Sequence, residues 1–560
     1  MMKLMNKIIF IFVIIIFLTG CQNKSGANGE DEIDSPIIPA LSVNLNSFSL
    51  SINDSEQIIP YIAGTEEEET VLYNSLNSEI ATVNDEGLVT ALSEGETDII
   101  VYFEHYPDVS VTVQVIVRDL VAEAEREAQK KINEAIIELS ELIPTETKQN
   151  ILLPVFLQNY TISITWLSSD PAIITNGGII TRKKGNQFVE LEAKIIYDKY
   201  NTIEGVFKKT VKVKKYELNS IENKKPVFAY LYHYAYQLRD EDLNKIDYIN
   251  YSFAYVMGNK LSVAHLSGIS GIINKVHDKG VRFILSVGGW GASGFSVMAS
   301  TDENRAQFIQ SVISVVNRYS IDGIDLDWEY PTTGSGNDLK NPSDRKNFTS
   351  LVKELRLAMD EVDSDLILTA AFPASSYAAN NYYEINKINK DLDYLHLMTY
   401  DLIDYSGYIT SHHANLFSSN YSSSPNASAD SAVKAYEACG ADKDKITIGV
   451  AFYGHIGTVK NQSTENGMKV PSENLSNAIN FSKIYNDYLY NSNYTYYFDD
   501  NAKAPWLFDG TTFITFDDST SIHYKCKYVL EEDLGGIMFW QLGGDYHGIL
   551  LNAIYESLNK

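Results

Sequence analysis

One stretch of ten residues decides how this sequence is interpreted: Asp322-Gly323-Ile324-Asp325-Leu326-Asp327-Trp328-Glu329-Tyr330-Pro331. Side chains alternate between the two faces of a β-strand, so Asp325, Asp327 and Glu329 point to one face. The intervening isoleucine, leucine and tryptophan point to the other face, which predicts a buried hydrophobic side. This pattern disfavours the alternative of a solvated acidic edge strand.

The three acids are costly for a fold because carboxylates on one face repel each other and resist desolvation. Their arrangement adds no stability, so we interpret it as catalytic. Crowding pushes the pKa values of neighbouring carboxyl groups apart, leaving one protonated near neutral pH while another stays ionised. Acid-catalysed cleavage of a glycosidic bond requires such a pair.

Length and composition restrict the class of protein. The chain has 560 residues, which predicts two to four domains. Its hydrophobic content of 44% and charged content of 21% are ordinary for a globular protein. The net charge of −28 is opposite to that of a typical nucleic-acid-binding protein, so we expect no nucleic-acid partner.

Residues 226–558 alternate apolar strands with amphipathic helical segments such as 303–319 and 343–360. This alternation predicts an α/β fold, a (β/α)8 TIM barrel. Glu329 falls just past the fourth predicted strand, and barrel active sites lie at the carboxyl ends of the strands. The predicted strands are 227–232, 248–254, 282–287, 321–327, 366–372, 393–399, 446–452 and 535–540.

The preceding residues have a different pattern, with short alternating strands separated by turns, which predicts β-sandwich domains. Residues 40–118 resemble a bacterial Ig-like module. Residues 119–217 resemble a second one, with a leading helix over 119–137. We expect Trp166 in the core of the second module, although a sugar-stacking role is an alternative. We interpret both modules as spacers.

The acidic pattern D-x-x-D-x-D-x-E resembles the signature of glycoside hydrolase family 18, the chitinases and their relatives. Other motifs of residues 226–558 resemble the same family. They are Ser286-Val287-Gly288-Gly289-Trp290, Leu397-Met398-Thr399-Tyr400-Asp401, and the strand-eight segment that contains Trp540. The segment of about 455–520 resembles the α+β insertion that forms one wall of the chitinase substrate groove, between strands seven and eight.

The resemblance implies a role for each matched residue. Glu329 would protonate the glycosidic oxygen, Asp327 would orient the 2-acetamido group of the substrate, and Asp325 would share a proton with Asp327. Tyr400 would hold the acetamide oxygen as it attacks the anomeric carbon. The resemblance further implies substrate contacts for Trp540, Asp401, Met398, Tyr230 and Trp290, and supporting roles for Asp322, Ser286, Gly288 and Gly289.

These roles imply a chitinase that hydrolyses β-1,4-linked N-acetylglucosamine in chitin or chito-oligosaccharides with retention. The alternatives are an endo-β-N-acetylglucosaminidase acting on N-glycans and a catalytically weak chitin-binding lectin. Endo or exo action stays open. The sequence departs from the family at His455, where Arg is common, and at Gln541, where Glu is common. We expect a monomer without a cofactor, and no Cys/His cluster has the spacing of metal ligands.

The first residues resemble a bacterial lipoprotein signal peptide, with a basic start, an apolar run and a processing site before Cys21. We therefore predict a signal peptide over 1–20, a lipid on Cys21 and a flexible tether over 21–39. The protein would then be a membrane-anchored lipoprotein at the bacterial cell surface or outer membrane. An uncleaved signal anchor is the alternative. Cys439 and Cys526 are expected to be unbridged thiols.

Overall fold

The computed structural model describes residues 39–64, 69–199, 203–232, 237–334, 339–403, 408–460 and 465–559. Cys21, the predicted signal peptide and the predicted tether before residue 39 lie outside the described residues. Within the described ranges, no helix is both long enough and apolar enough to cross a membrane. The chain divides into two compact units, Met1–Glu127 and Ala128–Lys560.

The first unit consists of short strands, as the alternating pattern predicts. A four-stranded sheet has the order β2-β9-β8-β5, a three-stranded sheet has the order β3-β7-β6, and β1 pairs with β4. Alternate residues of β8 and β9 are buried, which places one face of each strand in the core. The strands are β1 (Ala40–Val43), β2 (Ser47–Ser51), β3 (Ser55–Gln57), β4 (Pro60–Ala63), β5 (Val71–Ser75), β6 (Ala81–Val83), β7 (Leu88–Ala91), β8 (Gly95–Phe103) and β9 (Ser110–Arg118).

The second unit begins with another strand module. The predicted helix is observed as α1 (Leu120–Leu142), and from Ala128 onward its buried residues join the core of this module. Trp166 is 5% exposed and its indole N–H donates to the backbone oxygen of Pro154, so the prediction of a core aromatic is confirmed. The sheet order is β10-β14-β13-β12-β11, made of β10 (Glu146–Thr147), β11 (Phe156–Leu157), β12 (Ile162–Ser168), β13 (Gln187–Tyr197) and β14 (Glu204–Val213).

The remaining residues of this unit form the predicted TIM barrel. Eight parallel strands close because β15 pairs with both β16 and β28. The barrel strands are β15 (Val227–Tyr232), β16 (Tyr248–Met257), β18 (Arg282–Gly288), β19 (Gly323–Asp327), β20 (Ile367–Pro373), β21 (Tyr394–Met398), β22 (Ile446–Ala451) and β28 (Gly536–Trp540), with β17 (Lys260–Ser262) as a hairpin on β16. The helices are α2 (Asp240–Leu243), α3 (Ile269–Asp278), α4 (Phe295–Ala299), α5 (Asp302–Tyr319), α6 (Asp344–Val362), α7 (Ser376–Asn381), α8 (Ile385–Ile388), α9 (Ala429–Ala438), α11 (Ser519–Glu531) and α12 (Ile549–Leu558).

The acidic strand β19 follows the alternation of its sequence. Ile324, Leu326 and Trp328 are buried in the large hydrophobic cluster between the strands and the surrounding helices. Helices α5 and α6 flank this strand in the chain and place Phe308 and Phe348 in the same cluster. The apolar side of the strand therefore fixes its orientation, and the acidic side is left to face the barrel interior.

The predicted insertion between the seventh and eighth barrel strands is observed as a five-stranded antiparallel sheet with the order β24-β23-β27-β26-β25. Trp506 is 3% exposed, stacks on Tyr497 and donates to the backbone oxygen of Asn466, so it packs inside this subdomain. The elements are β23 (Tyr453–Val459), β24 (Ser472–Asn480), α10 (Phe481–Ile484), β25 (Thr495–Asp499), β26 (Ala504–Phe508) and β27 (Thr512–Phe516).

Asp322 marks the amino end of β19, on the side of the barrel opposite to Glu329. Its Oδ2 accepts from the backbone N–H of Phe283 at 2.8 Å and lies 2.6 Å from His277 Nε2. Its Oδ1 accepts from the Tyr216 hydroxyl at 3.2 Å, and the rings of Tyr216 and His277 stack at 3.8 Å. Since Tyr216 follows the last strand of the Ig-like module, Asp322 joins the catalytic strand to that segment.

The same side of the barrel makes further contacts with the module itself. Arg182 is 2% exposed, pairs with Asp278 at the end of α3, and donates to the backbone oxygens of Lys214 and Lys215. Asn274 of α3 donates to the backbone oxygen of Ile180 at 2.9 Å. Buried polar contacts of this kind hold the module against the barrel.

Candidate active site

A cavity of about 1110 Å³ opens at the carboxyl ends of the barrel strands. It collects side chains from most of the strands, and its acids come from β19 and from the end of β21. Residues from its wall include Tyr230, Tyr232, Phe253, Trp290, Asp327, Glu329, Tyr330, Met398, Tyr400, Asp401, Tyr453 and Trp540.

Asp325 lies deepest, and its carboxylate is completely buried. Its Oδ2 accepts from the hydroxyls of Tyr230 at 2.8 Å and Ser286 at 2.7 Å, and its Oδ1 accepts from Thr369 at 2.7 Å. Three hydroxyl donors occupy the oxygens of this carboxyl group and fix its orientation. Tyr230 and Ser286, predicted for substrate contact and support, therefore both hold Asp325.

Asp327, unlike Asp325, is buried without a full set of hydrogen-bond donors. It is 5% exposed, and its Oδ1 has no hydrogen-bond partner among the described residues. Burial, and then the charges of Glu329 and Asp325, raise the pKa of Asp327 well above its usual value. The proton of this cluster is therefore best placed on Asp327, because the oxygens of Asp325 are already occupied by hydroxyl donors.

Glu329 lies just past the end of β19, as predicted, and lines the cavity. The pKa of Glu329 is raised to about 7, chiefly by burial. A hydrogen bond with Tyr330 has the opposite effect and lowers it. The charge of Asp401 raises it further. A carboxyl group with a pKa of about 7 is about half protonated at neutral pH and can act as a general acid there.

The predicted glycines bring the third barrel strand close to the catalytic strand. Gly288 has a φ of 116°, and a side chain there would collide with the backbone oxygen of Asp327. The backbone N–H of Gly289 donates to that same oxygen at 2.9 Å. Glycine at both positions therefore allows the contact that holds Asp327 in place.

Aromatic side chains form the apolar part of the cavity. Trp540 stacks on Phe253 at 5.6 Å and contacts Tyr230 at 5.8 Å between ring centroids. Trp290 is 77% exposed at the rim of the cavity. Such flat apolar faces suit the C–H faces of a pyranose.

Tyr400 and Met398 follow from the sixth barrel strand and line the same cavity. Burial, and then the charges of Asp327 and Asp401, raise the pKa of Tyr400 well above its usual value, so its hydroxyl stays a hydrogen-bond donor. Its oxygen lies 3.9 Å from the sulfur of Met538, a weak contact that leaves the hydroxyl able to reach a ligand.

Asp401 is surrounded by Tyr453, His413 and His455, of which the sequence analysis singled out only His455, as a departure from the family pattern. Its Oδ1 accepts from Tyr453 at 2.6 Å, lies 2.7 Å from His455 Nε2 and lies 3.9 Å from His413 Nδ1. Partial burial opposes ionisation of the half-exposed Asp401, but the two histidines outweigh this effect and hold its pKa well below the usual value. Asp401 has a φ of 57°, so these contacts also hold a left-handed backbone conformation.

Comparison with protein families identifies four matching segments. Residues 219–545 match the family described as glycosyl hydrolases family 18. Residues 40–113 match the bacterial Ig-like domain (group 2), and residues 141–215 match the atrophied bacterial Ig domain. Residues 5–22 match the prokaryotic membrane lipoprotein lipid attachment site.

Among curated proteins, the chain is 32% identical over 321 residues to Chitinase A1 of Niallia circulans, an alignment that covers 52% of this chain and 45% of that protein. It is 28% identical to an endochitinase of Manduca sexta, covering 50% of this chain and 54% of the relative. The chain thus spans about half the length of these two relatives.

Solved structures give a similar result. A family-18 N-acetylglucosaminidase from Paenibacillus barengoltzii is 35% identical with a TM-score of 0.57, covering 60% of this chain and 100% of that one. A Group IV chitinase from Ostrinia furnacalis is 26% identical with a TM-score of 0.54, again covering 60% of this chain and 100% of the other.

Proposed function

Because this chain belongs to glycoside hydrolase family 18, we propose that it hydrolyses β-1,4 linkages between N-acetylglucosamine units of chitin or chito-oligosaccharides. The observation that carries the proposal is the pair of buried carboxyl groups Asp327 and Glu329, both with raised pKa values, in a cavity with aromatic walls. The similarity to proteins named as chitinases supports the same substrate class.

The reaction proceeds in two steps and uses the substrate as its own nucleophile. Glu329 gives its proton to the glycosidic oxygen while the acetamide oxygen attacks the anomeric carbon. The leaving sugar departs and a cyclic oxazolinium ion remains. Water then opens this ring, returning a proton to Glu329, and the product keeps the configuration of the substrate.

The neighbouring side chains position the acetamide group. The Oδ1 of Asp327 has no partner in the described part of the chain and is therefore ready to accept the acetamide N–H. The Tyr400 hydroxyl donates to the acetamide oxygen and holds it in line with the anomeric carbon. Asp325 stays fixed by its three hydroxyl donors and supplies a negative charge below Asp327.

The remaining contacts bind the sugar ring. Trp540 provides the floor of the central subsite, and Asp401 accepts hydrogen bonds from ring hydroxyls. Met398 and Trp290 complete the cavity walls. A substrate without an N-acetyl group lacks the nucleophile, so cellulose is excluded on chemical grounds.

Release of single N-acetylglucosamine units from chain ends is a second candidate activity. It is favoured by the full-length match to the Paenibacillus barengoltzii N-acetylglucosaminidase, which is 35% identical. Trimming of N-glycans by endo cleavage is less favoured, because the five-stranded insertion between β22 and β28 adds a wall for a linear chain. A catalytically weak lectin is disfavoured because Glu329 is present.

The location follows from the N-terminal segment. The match of residues 5–22 to a lipoprotein attachment site supports cleavage before Cys21 and a lipid on its thiol. The protein would then work from a membrane at the bacterial surface, with its Ig-like modules as spacers. We propose that the protein is a monomer when its catalytic barrel acts at this membrane surface.

Product analysis of chitohexaose digests tests this function. Wild type should release shorter N-acetylglucosamine oligomers, and the proportion of monosaccharide in the earliest samples separates end cleavage from internal cleavage. Glu329→Gln should be slower by about 10²–10⁴-fold. Glu361 is an exposed glutamate of α6, so Glu361→Gln is the matched control and should cleave like wild type. Cleavage by Glu329→Gln at the wild-type rate would overturn the proposal.

A further inference from the structure

Three side chains of metal-ligand type converge beside the catalytic cavity, although they are far apart in the sequence. Asp401 follows β21, His413 lies in the segment after it, and His455 belongs to β23 of the insertion. One ligand atom from each lies within 4.8 Å of the others. The barrel and its insertion together therefore create a cluster that neither contains alone.

The separations within this cluster are close to those of a zinc site. Zn²⁺ binds His nitrogen and carboxylate oxygen at about 2.0–2.2 Å, which places neighbouring tetrahedral ligands roughly 3.4 Å apart. The Oδ1 of Asp401 lies 2.7 Å from His455 Nε2 and 3.9 Å from His413 Nδ1. One observed distance is shorter than that value and the other is longer, so small side-chain rotations would bring the three ligand atoms to tetrahedral spacing around one ion.

The environment of His413 points independently to a ligand. Its side chain is fully buried, and neither ring nitrogen has a hydrogen-bond partner among the described residues. Buried polar groups without partners are rare because their desolvation is not repaid. The Nδ1 of this imidazole nevertheless faces an aspartate, and a metal bond would use the lone pair that no hydrogen bond occupies.

The half-exposed carboxylate of Asp401 connects the cluster to solvent. Its side chain is 45% exposed and lines the cavity, while both histidines lie behind it. An ion could therefore enter from the cavity. Two histidines and one carboxylate are a ligand set typical of zinc sites in which one position stays open to water or to another ligand.

We propose that Asp401, His413 and His455 bind one Zn²⁺-type transition-metal ion, with the open position facing the cavity. Because the ion would occupy the carboxylate of Asp401, it would compete with a sugar at this wall. Only this competition rests on the proposed function. The binding of the ion does not depend on it.

Metal titration of the full chain tests the site. Protein stripped of metal with a chelator is titrated with Zn²⁺ by calorimetry, and separately with Co²⁺, whose visible d–d bands report a site of low coordination number. We expect one ion per chain. His413→Gln and His455→Gln should each weaken binding by at least about tenfold and remove the Co²⁺ bands.

His523→Gln is the matched control, because His523 contacts Ser557 away from the cavity. It should bind Zn²⁺ as wild type does. Thermal unfolding without metal shows whether each variant is folded, and Asp401→Asn gives a third variant of the site. Wild type that binds no Zn²⁺, or equal affinity in the folded His413, His455 and Asp401 variants, would overturn the proposal.

Activity is measured separately. Zn²⁺ should raise the KM for chitotetraose in wild type, and the chelator should reverse the effect. The folded His413→Gln variant should lose this sensitivity. If no chitin oligomer is cleaved at all, the proposed function fails while the calorimetric result still decides the metal site.

Discussion

The two ends of strand β19 carry the same kind of residue in opposite environments. At the amino end, Asp322 has three polar partners, one from each of Phe283, His277 and Tyr216. At the carboxyl end, Asp327 has an oxygen with no described partner and, like Glu329, a raised pKa. A buried acid with its partners in place stabilises a fold, and one without them is available for chemistry.

Asp325 lies between these extremes and shows how the two functions are joined. It is satisfied by hydroxyls from three other barrel strands, as a structural acid would be. Its charge nevertheless helps to raise the pKa of Asp327. The ordered acid therefore prepares the reactive one, which is the form of preorganisation that catalysis requires.

The largest effect should come from the carboxyl end. Glu329→Gln removes the proton donor and should lower kcat by about 10²–10⁴-fold. The midpoint of thermal unfolding should not fall, since glutamine has nearly the same shape and no charge to bury. A variant that loses stability together with activity would mean that Glu329 supports the fold, and the contrast between the two ends would be lost.

The amino end should show the reverse. Asp322→Asn removes the negative charge and replaces one of the two acceptor oxygens with an NH2 donor, so the contacts with Tyr216, His277 and the Phe283 N–H cannot all be kept. We expect a loss of about 3 kcal/mol in the free energy of unfolding. The kcat of the folded fraction should stay within a few-fold of wild type. Asp365→Asn, whose side chain is 82% exposed, is the control and should unfold like wild type. A large fall in kcat with unchanged stability would contradict the assignment.

The pH dependence separates the two ends further. The folded-state pKa of Glu329, about 7, lies above its value of about 4.3 in the unfolded chain. Its contribution to stability is therefore fully present below pH about 4.3 and is lost as pH rises through about 7, by roughly 4 kcal/mol at most. Wild type should lose stability over this range more steeply than Glu329→Gln, as denaturant unfolding measures.

Activity should follow the same group, because only the protonated form of Glu329 can donate. The kcat/KM of wild type should fall as pH rises through about 7. In Asp322→Asn, kcat/KM should fall over the same pH range as in wild type if the amino end of β19 has no part in the chemistry. If kcat/KM of that variant falls at a different pH, the two ends of β19 are coupled.

The smallest effect should come from one partner of Asp322. Tyr216→Phe removes one of its three polar contacts while keeping the stacking on His277. We expect a loss of about 1 kcal/mol in the free energy of unfolding and no change in kcat. Denaturant titration measures the free energy of unfolding, and chitotetraose assays measure kcat. No loss of stability would mean that the hydroxyl adds nothing to this network.

Much of the fold could be predicted because the relevant signals are local. The period-two pattern of β19 and the alternation of strands and helices predict the barrel and place Glu329 beyond a strand end. The insertion could be predicted because a structureless segment of that length is unusual. These signals need only the residues next to each other in the chain.

The environments of the acids could not be predicted in the same way. The family resemblance implies a proton shared by Asp325 and Asp327, but it does not indicate the three hydroxyls that donate to Asp325 in the folded barrel. Likewise, His455 lies 54 residues from Asp401, and His413 reaches the same carboxylate from another segment. The contact of Tyr216 with Asp322 spans 106 residues. Such partners are set by tertiary packing, which residue spacing does not report.

The most direct test of the account compares two leaving groups in the first turnover. A dinitrophenolate departs without a proton, whereas a sugar alkoxide needs one. We predict that Glu329→Gln slows cleavage of chitotetraose by at least about 10²-fold but slows dinitrophenol release from the dinitrophenyl chitobioside roughly tenfold or less. Equal slowing of both substrates would contradict the assignment of Glu329 as the general acid.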